Sequence, residues 1–317
     1  MWTRRRVLAG GVAITAATLL PMGRSFAATD QLRIAIDHEP PHLDPTLTDD
    51  AATQDVTFQN IFEGLTRLDE SGAVQPGLAR SWTASPDGLS LTFALQPDVR
   101  FHDGTAFDAS HAVFSIKRLL AGDSASPHKA LYAAIGDVVA PNPATVTLTL
   151  RQADAQMLHK LALADAVMVA PESAFNNRAQ PIGTGPFDLL EWDNGKGIAL
   201  ERNEDYWGVH PLTTQVDVYF IADAQAALAS LADGGIDGYP NFPDARALAP
   251  LAQSPAFRIT RGKGPGGKPR LGIWNTQLTG MWSDAPVEGC VLSGIHWASD
   301  TTPPQVGPSP YTSNPDD

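Results

Sequence analysis

Apolar and polar residues alternate along five stretches of the chain, and this period of two is typical of β-strands with one buried face. Two of the stretches predict hairpins because turn-forming residues interrupt them, Pro86-Asp87-Gly88 in one and Asn194-Gly195 in the other. The predicted strand regions are residues 32–36, 81–95, 144–150, 187–201 and 216–221.

A helical spacing of apolar residues marks three further segments. The first covers residues 49–62, the second begins after Asp108 as its N-cap, and the third covers residues 224–231 and ends at Gly234-Gly235. The prolines between residues 40 and 45 exclude a helix there and predict an extended, rigid loop. Because strands and helices mix without a regular βαβ period, the predicted fold class is mixed α/β, of the α+β kind.

Composition narrows the function classes. A length of 317 residues suggests roughly two domains. The 22 basic and 35 acidic residues give a net charge of −13, which argues against a nucleic-acid partner because such a surface needs clustered Lys and Arg. A single cysteine, Cys290, excludes a disulfide within the chain and any multi-cysteine metal site.

The first 27 residues predict a signal peptide. Arg4-Arg5-Arg6 precedes an apolar run over residues 7–20, and Ser25-Phe26-Ala27 supplies a small-residue cleavage site. The arginines also resemble a twin-arginine (Tat) signal, whose cargo is exported folded; an N-terminal anchor helix is the alternative. No cysteine follows the run, so we expect no lipid anchor and a product free in the periplasm, where loss of four arginines leaves 18 basic against 35 acidic residues.

Several motifs together resemble a known family. Residues 78–82 read Leu-Ala-Arg-Ser-Trp, residues 85–95 read Ser-Pro-Asp-Gly-Leu-Ser-Leu-Thr-Phe-Ala-Leu, and residues 99–109 read Val-Arg-Phe-His-Asp-Gly-Thr-Ala-Phe-Asp-Ala. These segments resemble the signature of the family 5 extracellular solute-binding proteins, the peptide and nickel receptors of ABC importers. The resemblance runs from about residue 32 to 263 and includes residues 39–45, 61–65, 181–187, 200–207 and 239–241.

The resemblance implies two lobes around a cleft, with the first lobe split into two subdomains. Subdomain one would combine residues 32–66 with 181–263, and residues 67–180 would form the inserted subdomain two. The second lobe should follow Lys263, but residues 269–297 show no recognisable strand of the family. We therefore expect residues 264–317 to be a diverged, poorly ordered remnant or connector, with the second lobe largely missing through a frameshift or deletion near Lys268 and a premature stop.

The resemblance also places the ligand site. It implies that Glu39, Pro40, Pro41, Tyr239 and Asn241 contact a ligand from the first lobe. The expected function is that of a monomeric periplasmic receptor, not an enzyme, which captures a peptide-like solute and delivers it to ABC permease subunits in the inner membrane. Truncation would impair it. A nickel or small-chelate receptor of the same family, and a periplasmic chaperone-like protein with an exposed apolar cleft, remain alternatives.

Other chemistries receive less support. His38, Glu39, His42 and Asp44 contain metal-ligating types, but prolines keep the backbone extended and the side chains too far apart for one ion, so no metal or other cofactor is predicted. Residues 262–269 match the spacing of a P-loop, but Pro269 stands where the magnesium-binding hydroxyl should be. They also match a dinucleotide-binding spacing, but Pro265 and Pro269 prevent the helix that this motif needs. The segment therefore predicts a flexible connector between lobes. Four aromatic residues could line the cleft but are mostly expected to pack in the interior: Trp192, Trp207, Tyr239 and Phe242. His102 and Asp103 are expected to serve turn hydrogen bonds.

Overall fold

The computed structural model describes residues 31–69, 72–242, 244, 246–248, 251, 254–263 and 269–275. The predicted signal peptide, Cys290 and the tail from residue 276 lie outside these ranges. The strands within them, in chain order, are β1 (Gln31–Ile36), β2 (Thr66–Leu68), β3 (Val74–Pro76), β4 (Ala79–Ala84), β5 (Ser90–Leu95), β6 (Ile135–Asn142), β7 (Thr145–Leu150), β8 (Phe187–Asp193), β9 (Gly197–Arg202), β10 (Gln215–Phe220), β11 (Gly238–Tyr239), β12 (Phe257–Lys263) and β13 (Pro269–Asn275).

Helices are few and short in the described residues. The α-helices are α1 (Ala51–Thr57), α2 (Ala109–Leu120), α3 (Met157–Lys160) and α4 (Ala224–Ala232). Single 3₁₀ turns cover Pro45–Leu47, Lys129–Tyr132 and Ala164–Ala166. In the part of the chain that the structure describes, none of these helices has the length and apolar character needed to cross a membrane.

The larger sheet has seven strands in the order β12-β13-β11-β1-β10-β9-β8. Strand β1 lies parallel to both of its neighbours, β10 and β11, with Ile34 opposite Val218 on one side and Gly238 on the other. The remaining pairs are antiparallel. The carboxyl ends of β1, β10 and β11 therefore meet at one edge of the sheet.

Side chains of β1 alternate between two hydrophobic cores, as its period of two requires. Leu32, Ile34 and Ile36 pack with Val56 of α1 on one face of the sheet. Ala35 packs on the other face with residues of α4, including Leu231. Burial on both faces explains why a strand of six residues contains so few polar positions.

The smaller sheet has four strands in the order β4-β5-β7-β6. Its strand β5 has the burial pattern predicted from the sequence, because Leu91, Phe93 and Leu95 are buried while the intervening residues are partly exposed. Helix α2 covers this sheet, and Asp108 caps it as predicted by accepting a hydrogen bond of 2.8 Å from the backbone of Ser110. All four strands lie between residues 79 and 150, whereas the larger sheet uses residues 31–36 and 187–275. The proposed subdomain boundaries themselves stay a prediction.

The predicted helix over residues 49–62 is too long. Helix α1 ends at Thr57, because Gln59 takes a positive φ of 60° and reverses the chain. The side-chain amide of Asn60 then donates to the carbonyl oxygen of Val56, which ends the helix. The proline-rich loop is also not wholly extended, since Pro45 begins a 3₁₀ turn that Asp44 caps.

Seven of the residues in which the sequence shows no recognisable strand of the family, 269–275, form a strand in the structure. Pro269–Asn275 forms β13, which pairs with β12 along its full length and with β11 on its other side. Strands β12 and β13 are therefore antiparallel neighbours within one sheet. The strand pattern is weak in the sequence because Pro269 and Gly272 interrupt it, and Gly272 is required where a Cβ would approach Thr260 and the indole of Trp274.

Candidate functional site

The predicted ligand residues gather at the edge where the parallel strands end. The loop of residues 37–41 follows β1, and Pro240 and Asn241 follow β11, its direct neighbour. We call these two loops the rim. Ligands of open sheets bind outside the carboxyl ends of parallel strands, because backbone groups and loop side chains are presented there together. The topology thus brings together the two segments that the sequence places some 200 positions apart.

Glu39 is held by protein groups at this edge. Its Oε1 accepts a hydrogen bond of 2.9 Å from the indole Nε1 of Trp192, at the end of β8. Both carboxylate oxygens also lie 3.1 Å from the backbone nitrogen of Gly195, in the turn between β8 and β9. The Glu39 side chain therefore fixes the rim to the β8–β9 turn, a structural role that sequence reasoning missed.

Tyr239 lies beneath the rim. Its side chain is fully buried, its ring packs edge-on against Phe242 with centroids 5.2 Å apart, and its hydroxyl donates to the carbonyl oxygen of Ile221 at 2.9 Å. Burial raises the pKa of the hydroxyl, and the charge of Asp37 raises it further. The Tyr239 side chain therefore packs in the interior, and the ligand contact expected for this residue stays a prediction.

The remaining predicted contacts differ in exposure. Pro41 is exposed and Asn241 is partly exposed, so both can be reached from solvent. Pro40 is buried and packs the loop against the sheet. Trp192, one of the aromatic residues considered for the cleft, is partly buried, and its indole N–H donates to Glu39.

His38 belongs to the rim loop of residues 37–41, although it is not one of the predicted ligand residues. Its Nδ1 is 2.6 Å from a carboxylate oxygen of Asp37, and its Nε2 is 2.8 Å from one of Asp50. Burial lowers the pKa of His38, but the hydrogen bonds with Asp50 and Asp37 outweigh burial and raise it above the ordinary value. Because Asp50 also caps α1 through the backbone of Thr53, His38 ties the rim to that helix.

The metal-like set of the sequence does not converge. Asp44 is fully buried and pairs with Arg118 at 2.8 Å, whereas His38 and Glu39 point to the partners given above. His42 is buried, and its pKa is lowered by burial and by the charge of Arg178. Over the described ranges, no three His, Cys, Asp or Glu side chains are grouped as a metal ion would require.

A second carboxylate, Glu63, joins segments that are distant in the sequence. Its oxygens accept hydrogen bonds from Thr184 at 2.8 Å and from Tyr206 and Trp207 at 2.9 Å each. Burial raises the pKa of Glu63 and outweighs these hydrogen bonds, which lower it. The indole of Trp207 therefore serves this cluster, not the cleft.

Close backbone contact holds the same segments together. The backbone nitrogen of Gly185 donates to Ile61 at 2.9 Å, and a Cβ on Gly185 would overlap the carbonyl oxygen of Asn60. Gly183 meets Ile61 in the same way. Gly183 and Gly185 thus allow two chain segments to pass in direct backbone contact.

His102 has a structural position between the two sheets. Its backbone nitrogen donates to the carbonyl oxygen of Gly183, and its Nε2 lies 3.0 Å from the carbonyl oxygen of Gly185. Its Nδ1 lies 2.9 Å from a carboxylate oxygen of Asp188 on β8. These contacts agree with the prediction of hydrogen bonding, although the partners belong to a distant segment and not to the local turn; Asp103 caps that turn by accepting from the backbone of Thr105 at 2.9 Å.

Comparison with known proteins decides the family. The profile of the bacterial extracellular solute-binding proteins, family 5 (middle region), matches residues 73–280. The chain belongs to this family. The family 5 match covers α2, the smaller sheet, every strand of the larger sheet except β1, and the rim residue Asn241.

Two family 5 relatives come from Escherichia coli (strain K12). The nickel-binding periplasmic protein is 33% identical over 208 residues, which cover 62% of this chain and 39% of that protein. The glutathione-binding protein GsiB is 31% identical over 204 residues, which cover 62% of this chain and 39% of that protein. The chain thus spans about two fifths of the curated relatives that it matches.

The same fold occurs in solved structures of ABC-transporter periplasmic binding proteins. DppA from Helicobacter pylori, in complex with the peptide STSA, aligns with a TM-score of 0.67 at 26% identity. The alignment covers 74% of this chain and 51% of DppA. This likeness confirms the predicted mixed α/β fold of the periplasmic-binding-protein type.

Proposed function

We propose that the chain is the solute-capturing component of an ABC importer and that it takes a peptide-like solute at the rim. The observation that carries the proposal is the meeting of residues 37–41 and 240–241 at the carboxyl edge of β1 and β11. Family membership and the periplasmic names of the relatives support a role outside the inner membrane, in solute binding and not in catalysis.

The composition of the rim favours a peptide-like solute. Prolines 40 and 41 hold the loop with little conformational freedom, and Asn241 offers an amide that can donate and accept hydrogen bonds. An extended ligand uses the same kind of groups, because its backbone pairs with protein backbone and side chains. Glutathione, named for one relative, and STSA, bound in one solved structure, are both peptides.

Capture and delivery follow from lobe closure in the proposed mechanism. A ligand that contacts two lobes only when they are closed shifts the equilibrium toward the closed form, which then docks on the permease. The rim supplies the first-lobe half of this contact. Glu39 and His38 act as positioning residues, because one fixes the rim to the β8–β9 turn and the other to α1.

A nickel or small-chelate solute is the second candidate, favoured by the 33% identity to the nickel-binding protein. Titration calorimetry on the purified full chain with alanyl-leucine, glutathione, a nickel–histidine chelate and an unfolded client protein distinguishes the candidates. Binding of the two peptides, with no heat from the chelate or the client, is expected. Binding of the chelate alone would favour the second candidate, and binding of the client alone would favour a chaperone role.

Two further tests concern the oligomeric state of the chain and its export to the periplasm. We propose a monomer, which light scattering would report as a single species of 33.7 kDa, or of that mass less the 27 residues of the predicted signal peptide after its removal. For export, replacing the arginines at positions 4, 5 and 6 with lysine is expected to abolish the periplasmic product if the Tat pathway carries it. Normal periplasmic levels of that variant would contradict the Tat assignment.

A further inference from the structure

Asn194 and Gly195 form the turn between β8 and β9, next to the rim. The backbone nitrogen of Lys196 donates to the carbonyl oxygen of Asp193 at 3.0 Å, which closes the turn. Gly195 takes a positive φ of 77°, a conformation that favours glycine after Asn194. The pair therefore serves the hairpin, but an asparagine followed by glycine also has a covalent chemistry of its own.

The side chain of an asparagine can react with the backbone of the residue that follows it. Here the nitrogen of Gly195 would bond to the amide carbon Cγ of Asn194, and the bond from Cγ to Nδ2 would break. The proton of Gly195 would leave with Nδ2 as ammonia. The cyclic imide that remains takes up a water molecule and opens to aspartate or isoaspartate, so the net reaction is hydrolysis of the side-chain amide.

The surroundings of the turn favour this reaction. Asn194 and Gly195 are both exposed, so water and base reach them. A Cβ built on Gly195 would meet nothing within 4 Å beyond its chain neighbours, so the backbone at this point has room to move. Solvent access and space for the imide are therefore present together.

Glu39 holds the nitrogen that must react. Both of its carboxylate oxygens lie 3.1 Å from the nitrogen of Gly195, and the indole of Trp192 holds the same carboxylate at 2.9 Å. Attack on Asn194 needs the Gly195 nitrogen without its proton. A carboxylate beside that nitrogen opposes loss of the proton, because an amide anion would form next to a negative charge. The reaction therefore requires the rim to release the turn first.

We propose that Asn194 is a deamidation site and that the rim controls its reaction through Glu39. Deamidation is slow while Glu39 holds Gly195, and it proceeds when the rim moves away from the turn. The product has a new carboxylate beside the N–H group that binds Glu39, and the two negative charges repel each other. The cation of the turn, Lys196, already pairs with Asp193 at 2.6 Å. Deamidation therefore weakens the contact between rim and turn and makes the release persistent.

Mass spectrometry of the purified full chain, incubated at about pH 8, tests the proposal. Trypsin releases residues 179–196 as one peptide, in which Asn194 is the single asparagine, and replacement of the amide by a carboxyl group raises its mass. Asn194 should react more slowly in the folded chain than in the chain unfolded in urea. Glu39→Ala should accelerate the reaction of the folded chain about five- to thirtyfold, through loss of the contact with Gly195. Glu191→Ala, an exposed glutamate on β8, is the matched control and should leave the rate unchanged.

A second pair of variants separates this contact from general unfolding. Ile116→Val shortens a buried side chain in the core of the smaller sheet, so it lowers stability while Glu39 still holds Gly195, and Asn194 should react at the unmodified rate. Asn194→Asp supplies the charge of the product and should accelerate hydrogen exchange of the Gly195 amide, whereas the exposed Asn176→Asp should not.

Four results would overturn the proposal. They are an equal rate of deamidation in the folded and unfolded chains, a Glu39→Ala chain that reacts no faster than the unmodified one, an Ile116→Val chain that reacts as fast as Glu39→Ala, and unchanged exchange of the Gly195 amide in Asn194→Asp.

Discussion

The carboxylate of Glu39, on the loop after β1, accepts a hydrogen bond of 2.9 Å from the indole Nε1 of Trp192 on β8. Strands β10 and β9 separate β1 from β8 in the sheet, so this contact reaches across two strands. The hydrogen bond connects the rim loop of residues 37–41 to the end of β8 and the β8–β9 turn. The consequence is that Glu39 contributes to stability as well as to the shape of the site.

Glu39→Ala should lower both the melting temperature and the free energy of unfolding. The substitution leaves the indole N–H of Trp192 and the backbone N–H of Gly195 without their carboxylate partner, a loss of about 1–2 kcal/mol because water can replace part of it. Urea unfolding measures the change. Glu191→Ala, an exposed glutamate on the same strand as Trp192, is the control and should change stability little. Equal stability of the Glu39 and Glu191 variants would contradict the positioning role.

Gly185→Ala should unfold or severely destabilise the protein. The added methyl group would overlap the carbonyl oxygen of Asn60 in a backbone contact that cannot move without breaking the hydrogen bond from Gly185 to Ile61, and we expect a cost of about 3 kcal/mol or more. The control is Gly122→Ala, where a Cβ meets nothing within 4 Å. Thermal unfolding of the two variants gives the comparison, and a Gly185 variant as stable as the control would show that this contact is not tight.

Glu63→Gln should gain stability relative to the unmodified chain as pH rises. Burial raises the pKa of Glu63, so the folded state favours its neutral form. The contribution of neutral Glu63 to the stability of the fold is therefore fully present below the ordinary glutamate pKa. It is lost as the pH rises through the raised pKa. Glutamine cannot ionise and escapes this loss. Unfolding at about pH 4 and about pH 8 measures the trend, with the exposed Glu172→Gln as control. A gain that shrinks with increasing pH would contradict the assignment.

His38→Gln should destabilise the protein more at low pH than at high pH. The pKa of His38 is raised by Asp50 and Asp37 in spite of burial, so its charged form stabilises the fold below the ordinary histidine pKa, and that stabilisation is lost as pH rises through the raised value. Urea unfolding at about pH 6 and about pH 9 detects the difference. The exposed His159→Gln should show none. A His38 effect that is independent of pH would mean that the imidazole acts only through neutral hydrogen bonds.

The sequence predicts the local elements well because their causes are local. The hairpin of β4 and β5 follows from a turn whose Gly88 takes a positive φ of 68°, and α2 follows from Asp108 at its N-cap. Strand β13 escaped prediction because Pro269 and Gly272 mask its alternation. Its stability comes from pairing with β12 and β11, which no short window of sequence contains.

Contacts between distant segments also limit how far the candidate site can be predicted from the sequence. The motifs indicate that Glu39 and Asn241 belong to one rim, and the parallel pairing of β1 and β11 agrees with this. The partner of Glu39 could not be predicted, because Trp192 lies 153 positions away. His38 and Asp50 are only 12 positions apart, so their contact is one that the sequence could have suggested.

The most direct test of the central claim is amide NMR of the full chain titrated with alanyl-leucine, compared with the variant Asn241→Ala. If the rim binds peptide-like solutes, the shifted signals should cluster in residues 37–41 and 240–242, and Asn241→Ala should weaken binding by about three- to tenfold through loss of its hydrogen bonds. The exposed Asn176→Ala should bind like the unmodified chain. Peptide-induced shifts that lie away from both loops, or an Asn241 variant that binds the dipeptide with unchanged affinity, would contradict the account.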